Sequence, residues 1–139
     1  MELDLRVGLE LPSRTRHVSQ ELMLQYTHTL GASNPIHFDA GYAAQTHFGG
    51  PIASGPIALG LLDDAMASAF PREWLTGGRL AVAFVKPVRP GDTITTSVRL
   101  RDMARQEGRE RLVFEVECLN QHREPVLAGT ATVERGRPR

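Results

Sequence analysis

The chain has one cysteine, no excess of charge of either sign and no long apolar run. Cys118 alone cannot form a disulfide, and its alternation with Phe114 and Val116 predicts a buried, inert thiol. Its 16 basic and 16 acidic residues cancel, so the positive field that nucleic-acid binding needs is absent. No stretch approaches a membrane span, and we expect no signal peptide. These absences favour a cytoplasmic protein that binds neither nucleic acid nor membranes.

The first half of the chain has mainly the periodicity of helices. Ser19 and Asp39 are good N-cap residues, Gly31 is suited to end the first helix, and Pro71 to stop the last. The predicted helices span about 20–29, 40–46 and 56–69, and the third is long, apolar and rich in small residues. Alternation before them predicts a strand at about 2–10 and a short extended piece at 15–18.

The second half changes to a period of two, which is typical of strands. Strands are predicted at about 79–86, 93–100, 112–118 and 125–133. The first of them is apolar on both faces, which favours a strand covered on each side. One long apolar helix against an antiparallel sheet predicts an α+β fold, and 139 residues suit a single domain over 1–139.

One motif carries most of the functional information. Leu30 to Asp39 reads Leu-Gly-Ala-Ser-Asn-Pro-Ile-His-Phe-Asp. It resembles the Gly-Asp-x-Asn-Pro-(Ile/Leu)-His signature of the MaoC-like dehydratases, the R-specific enoyl-CoA hydratases. The turn at 86–93 and the segment 120–129 also resemble that family's strands. The resemblance covers nearly the whole chain and implies a hot-dog fold, in which an antiparallel sheet wraps a long central helix.

The resemblance implies an enzyme, a carbon–oxygen lyase of fatty acid metabolism. It would hydrate a 2-enoyl thioester, or dehydrate a 3-hydroxyacyl thioester, of CoA or acyl-carrier protein, without a metal or redox cofactor. His37 would handle the proton, because its pKa ordinarily lies near operating pH. Asn34 would orient the histidine or the turn. The Gly55 N–H, at a helix start, would polarise the thioester carbonyl.

The chain departs from the family at one catalytic position: Ala32 stands where the family has its aspartate. Three explanations remain open. A neighbouring group could substitute, the candidates being Ser33, Asn34, a bound water, His28, His47 and Asp39. His37 could act alone. Or the chain could bind thioesters without turning them over, as half of a heterodimer or a sensor. Asp39 is also a natural cap for the following helix.

Substrate binding is predicted around two glycine-containing segments. The family's common His-Gly-Met corresponds to Ser54-Gly55-Pro56, where Ser54 is a natural N-cap and Pro56 suits the first turn. The loop formed by Phe48, Gly49, Gly50 and Pro51 would let the pantetheine arm pass, and Lys86 or Arg89 could meet CoA phosphates.

A further alternative is thioester hydrolysis by Asp63 or Asp64 on the long helix. More ordinarily, these carboxylates face solvent or pair across a dimer. No metal-ligand cluster is predicted, because the histidines are irregularly spaced and there is no paired cysteine. Proteins of this fold and length resemble dimers joined edge to edge, so we expect a homodimer or a higher homo-oligomer.

Overall fold

The structure is a computed structural model that describes residues 3–31, 34–53 and 55–136. Its elements are β1 (Thr15–His17), α1 (Gln20–Thr29), a 3-10 turn (Pro35–His37), α2 (Ala40–Ala44), α3 (Pro56–Ala69), α4 (Glu73–Gly77), β2 (Arg79–Phe84), β3 (Thr93–Gln106), β4 (Arg109–Leu119) and β5 (Pro125–Gly136). Most helices precede most strands, which confirms the predicted α+β class.

The strands form one antiparallel sheet in the order β1-β3-β4-β5-β2. β2 lies at its edge and pairs with β5, Ala81 opposite Thr130 and Val82 opposite Gly129. The two strands approach closely at Gly129, where a Cβ would lie 2.1 Å from the Ala81 carbonyl oxygen. Only glycine fits there, because the obstructing atoms are backbone.

Side-chain caps fix the ends of the first helices as the sequence predicts. The Ser19 hydroxyl accepts a hydrogen bond from the Leu22 N–H at 3.0 Å, at the start of α1. Gly31 follows that helix with a φ of 65°, which glycine adopts without strain. The Asp39 carboxylate accepts from the Tyr42 N–H at 3.0 Å and caps α2.

The core lies between α3 and the sheet. The helix buries Ile57, Ala58, Leu62, Ala65 and Met66, and the alternate side chains of β3, β4 and β5 meet them. Burial of each large apolar side chain contributes about 1.5–3 kcal/mol to the stability of the fold. Cys118 is fully buried among them, as predicted, and desolvation raises the pKa of its thiol to about 11.

Two predictions about the sheet are wrong, and one helix was not predicted. The opening segment, described from residue 3, exchanges backbone hydrogen bonds with Leu100 of β3 and forms one isolated bridge from Glu10 to Arg99, but it is not a regular strand. β2 is not covered on both faces: none of its residues is fully buried, and Phe84 at its end and Val85 just after it are more than half exposed. Helix α4 was not expected, because five residues are too few to show a helical period.

Candidate active site

A cavity of about 350 Å³ lies beside the N-terminus of α3. Its wall is apolar apart from two titratable side chains, those of His37 and Lys86. The described residues that line it are His37, Phe48, Ile52, Ala53, Gly55, Ala58, Phe84, Val85, Lys86, Pro87, Val88 and Val126. An apolar pocket of this size with few polar groups is typical of a small-molecule site.

His37 ends the 3-10 turn, and a hydrogen bond fixes its tautomer. The Asn34 side chain starts the turn by accepting from the Ile36 N–H at 3.1 Å. The Nδ1 of His37 lies 2.9 Å from the Ile52 carbonyl oxygen. Because a carbonyl only accepts, Nδ1 must carry the hydrogen. The neutral ring therefore keeps its free lone pair on Nε2, which can take a proton.

The backbone around Ile52 holds this arrangement from two sides. Its N–H donates to the Ile36 carbonyl at 3.3 Å, while its carbonyl accepts from His37. The next residue, Ala53, donates to the Val88 carbonyl at 2.7 Å. The histidine turn, the 52–53 segment and the chain after β2 are thus joined by hydrogen bonds, which restrict the imidazole orientation.

The N-terminus of α3 forms another part of the wall. The structure assigns Gly55 as its N-cap, whereas Ser54, which the sequence predicts for that role, lies outside the described residues. The first N–H groups of a helix have no partner within the helix, and the dipole is positive there. With Gly55 in the cavity wall, this end of the helix suits a carbonyl oxygen that gains negative charge.

A bulge just after β2 shapes another part of the wall. The N–H groups of Val85 and Lys86 both donate to the Val126 carbonyl, at 2.9 and 3.3 Å. Two residues thus face one, which is the pattern of a β-bulge. Five consecutive residues, 84 to 88, line the cavity at this point. The sequence interpretation missed most of this wall, although the following Pro87 signals that regular pairing ends.

Lys86 lies where the cavity wall meets the surface. Its ammonium group pairs with the Glu124 carboxylate, which also accepts from the Asn120 amide at 3.2 Å. The Lys86 hydrogen bond is the main cause that lowers the pKa of Glu124 below its ordinary value. Arg89 instead donates to the Gly50 carbonyl at 3.4 Å. The ammonium group of Lys86 thus lies at the cavity as half of an ion pair with Glu124.

The structure brings three of the predicted site residues together. His37, Gly55 and Phe48 line the cavity, whereas Asn34 contributes through its cap of the 3-10 turn. The predicted substrate-binding residues Gly49, Gly50 and Pro56 do not line it, and Pro56 borders a groove beside α4 instead. Ala32, Ser33 and Ser54 lie outside the described residues.

The two histidines and the one carboxylate proposed as substitutes for Ala32 do not line the cavity. His28 is exposed at the end of α1, and the exposed His47 packs its ring 4.0 Å from that of Phe48. Asp39 caps α2.

The carboxylates on α3 are also engaged elsewhere. Asp63 accepts from the Trp74 indole at 2.7 Å, and Asp64 lies 3.5 Å from the Arg14 guanidinium. Both face solvent, as the ordinary interpretation predicts. In the described ranges no three His, Cys, Asp or Glu side chains are grouped to hold a metal ion. Nor does the described chain contain a helix long and apolar enough to cross a membrane.

Comparisons with known proteins agree on the fold and the family. The chain is 29% identical to a 3-hydroxybutyryl-CoA dehydratase of Methylorubrum extorquens over 109 residues, 78% of this chain and 69% of that protein. It superposes on R-hydratase PhaJ1 of Pseudomonas aeruginosa with a TM-score of 0.74 and 27% identity, covering 97% and 84% of the two chains.

An (R)-hydratase of A. caviae has a TM-score of 0.77 over 99% of this chain and all of that one. At 19% identity, this second superposition shows the fold alone and confirms the hot-dog architecture. The family model of the MaoC-like domain matches residues 8–121, well over half of the chain. The chain is therefore a member of the MaoC-like dehydratase family.

Proposed function

We propose that this chain is an active hydratase that reversibly adds water to a 2-enoyl thioester to give the 3-hydroxyacyl thioester. The observation that carries the proposal is the hydrogen bond from His37 to the Ile52 carbonyl. It leaves Nε2 as the proton acceptor of a histidine that lines an apolar cavity together with a helix N-terminus. The dehydratase name of the M. extorquens relative supports a short thioester of this type as substrate.

A single histidine suffices for the proton balance. Nε2 of His37 takes a proton from water while the water oxygen bonds to the β-carbon. The electrons of the double bond move toward the thioester oxygen and form an enolate. The imidazolium then returns a proton to the α-carbon, so that water is added and the histidine is neutral again. This sequence explains how the site works with Ala32 in place of an acid.

The helix N-terminus stabilises the enolate. The Gly55 N–H is the donor we assign to the thioester oxygen, because it lies at the positive end of α3 in the cavity wall. Donors preorganised for a developing oxyanion lower a barrier by several kcal/mol in other enzymes, typically about 3–4 kcal/mol for one donor. His37 and Gly55 thus divide the reaction between proton transfer and charge stabilisation.

Thioester hydrolysis by the α3 carboxylates is the weaker hypothesis. Asp63 and Asp64 lie outside the wall of the cavity and have partners on other elements. A non-catalytic thioester-binding subunit would use the same cavity, and only an activity measurement separates it from the enzyme.

We also propose that two copies associate through β2. That strand pairs on one side with β5, and two apolar residues at its end, Phe84 and the following Val85, are 58% and 57% exposed. Unprotected strand edges readily pair with another strand. Sedimentation should give twice the 15.3 kDa of one chain, or a higher multiple, and a monomer at micromolar concentration would contradict this proposal.

The test of the activity is hydration of crotonyl-CoA, followed by the loss of enoyl absorbance. The wild-type chain should turn it over, and His37→Ala should lose about 10²–10⁴-fold in kcat/KM. His28→Ala is the matched control, because His28 is exposed on α1 outside the cavity. Its kcat/KM should stay within twofold of the wild-type value. Absence of hydration by the wild type with both CoA and acyl-carrier thioesters would refute the enzyme and favour the binding subunit.

A further inference from the structure

The Phe84 ring packs directly on the backbone of Gly55. A Cβ built on Gly55 would lie 2.7 Å from Cζ and 2.9 Å from Cε1 of that ring. The backbone of Gly55 is ordinary αR, with φ −51° and ψ −39°, which any residue adopts. A side chain at position 55 would therefore have to displace the ring, and glycine leaves this space to Phe84.

Phe84 is placed there by the end of β2. It is the last residue of the strand, opposite Leu127, and the bulge at Val85 and Lys86 follows immediately. The ring lines the cavity, yet 58% of the residue is exposed. It is therefore a large apolar group in the cavity wall rather than in the core, and it lies next to Gly55, the residue whose N–H the proposed function assigns to the thioester oxygen.

We propose that Phe84 is the residue that limits the length of the acyl group. Its ring lines the cavity and fills the space between the end of β2 and the start of α3, so that it closes this side of the cavity to the later carbons of a long acyl chain. This inference rests on the proposed function, since it takes the ligand of the cavity to be an acyl thioester.

The selectivity that an apolar pocket wall gives between acyl chains of different length has a known magnitude. One methylene in a hydrophobic pocket changes selectivity by about 10-fold or more. Removing the ring opens the gap beside Gly55 and makes room for further carbons. Phe84→Ala should therefore change the preference between a short and a long chain by at least about 10-fold, and Phe84→Leu should lie between alanine and phenylalanine.

Binding of saturated thioesters tests this without turnover. Dissociation constants of butyryl-CoA and octanoyl-CoA are measured by calorimetry for the wild type, Phe84→Ala, Phe84→Leu and Leu75→Ala. Leu75 is the matched control, because it is an exposed large apolar residue on α4 outside the cavity. The wild type and the control should prefer butyryl-CoA by about 10-fold, whereas Phe84→Ala should lose or invert that preference.

A ratio in Phe84→Ala within twofold of wild type overturns the inference. A second contradicting result would be that Phe84→Ala weakens the binding of both ligands equally and also changes the oligomeric state seen in sedimentation. Phe84 would then be a subunit contact only. If crotonyl-CoA is hydrated while the ratio is unchanged, only the acyl-length inference fails. If no variant binds either thioester, the proposed function fails with it.

A second measurement tests the contact itself. Gly55→Ala should lower the urea midpoint of unfolding in the wild-type background, because its Cβ meets the ring. In the Phe84→Ala background the same change should lower the urea midpoint much less, because the ring is no longer there. An equal cost in both backgrounds would show that the ring does not occupy this space and would overturn the inference.

Discussion

The imidazole Nδ1 of His37 donates a hydrogen bond to the carbonyl oxygen of Ile52 at 2.9 Å. The N–H of Ile52 in turn donates a hydrogen bond to the carbonyl oxygen of Ile36. The ring and the backbone that holds it are therefore joined by two hydrogen bonds. The consequence is chemical, because the bond determines which ring nitrogen is free. Two segments that are 15 residues apart thus fix the proton acceptor of the site.

The tautomer can be measured directly. Nitrogen-15 NMR of the neutral ring should show a protonated Nδ1 and an unprotonated Nε2 for His37, because the Ile52 carbonyl can only accept. The signal is assigned by its absence in His37→Gln. A neutral ring with its hydrogen on Nε2 would contradict the arrangement.

Because β2 and β5 approach closely, adding a single methyl group at Gly129 should strongly destabilise the fold. Gly129→Ala places a Cβ 2.1 Å from the Ala81 carbonyl oxygen and 2.7 Å from the Val82 Cα. The strands must separate, and we expect a loss of about 3 kcal/mol in the free energy of unfolding. Gly136→Ala, on the same strand with open space around it, is the control and should be nearly neutral. Equal urea midpoints for the two variants would refute the close approach.

The far end of the sheet contains a buried ion pair. Glu110 is 3% exposed, and its carboxylate lies 2.9 Å from Arg135 and 3.5 Å from Arg105. Glu110→Gln leaves the partly buried Arg135 without its charge partner, which should cost about 3 kcal/mol in unfolding free energy.

The control for Glu110 is Glu115→Gln on the same strand. Glu115 is exposed opposite Arg99, and surface pairs contribute less than about 1 kcal/mol. Chemical denaturation of the two variants should therefore differ clearly. Similar midpoints would mean that the buried pair does not stabilise the sheet.

Cys118 predicts a loss of stability at alkaline pH. Burial raises the pKa of its thiol from an ordinary 9.0 to about 11. Between these values the unfolded chain loses the proton and the folded chain keeps it, so unfolding becomes easier as pH rises. The loss is on the order of 2–3 kcal/mol by pH 11. Urea unfolding of wild type and Cys118→Ala at pH 7 to 11 should diverge above pH 9, and parallel curves would contradict this.

Local signals predicted the helices well. Ser19 and Asp39 act through their own side chains on N–H groups three residues away, so capping can be read from neighbouring residues. The bounds of α3 agree with the prediction because Pro56 begins it and an apolar run fills it up to Ala69. The strand pattern after residue 79 also indicated the sheet, although not every strand end.

Which residues line the cavity could not be predicted from the sequence alone, because it depends on the tertiary structure. The apolar character of β2 indicated burial, whereas its position at the edge of the sheet follows from the strand order. Likewise, Phe84 and Lys86 reach the cavity through a bulge set by pairing with Val126. His37 and Gly55 were predicted through the family motif, but their meeting in one cavity is a property of the fold.

The most direct test of His37 as the proton carrier is chemical rescue. Crotonyl-CoA hydration by His37→Ala is measured with and without added imidazole, next to the wild type. If the ring moves the proton, the variant should regain at least about 10-fold of its lost rate with imidazole, while the wild-type rate stays unchanged. A folded His37→Ala variant that keeps the wild-type rate without imidazole would contradict the account.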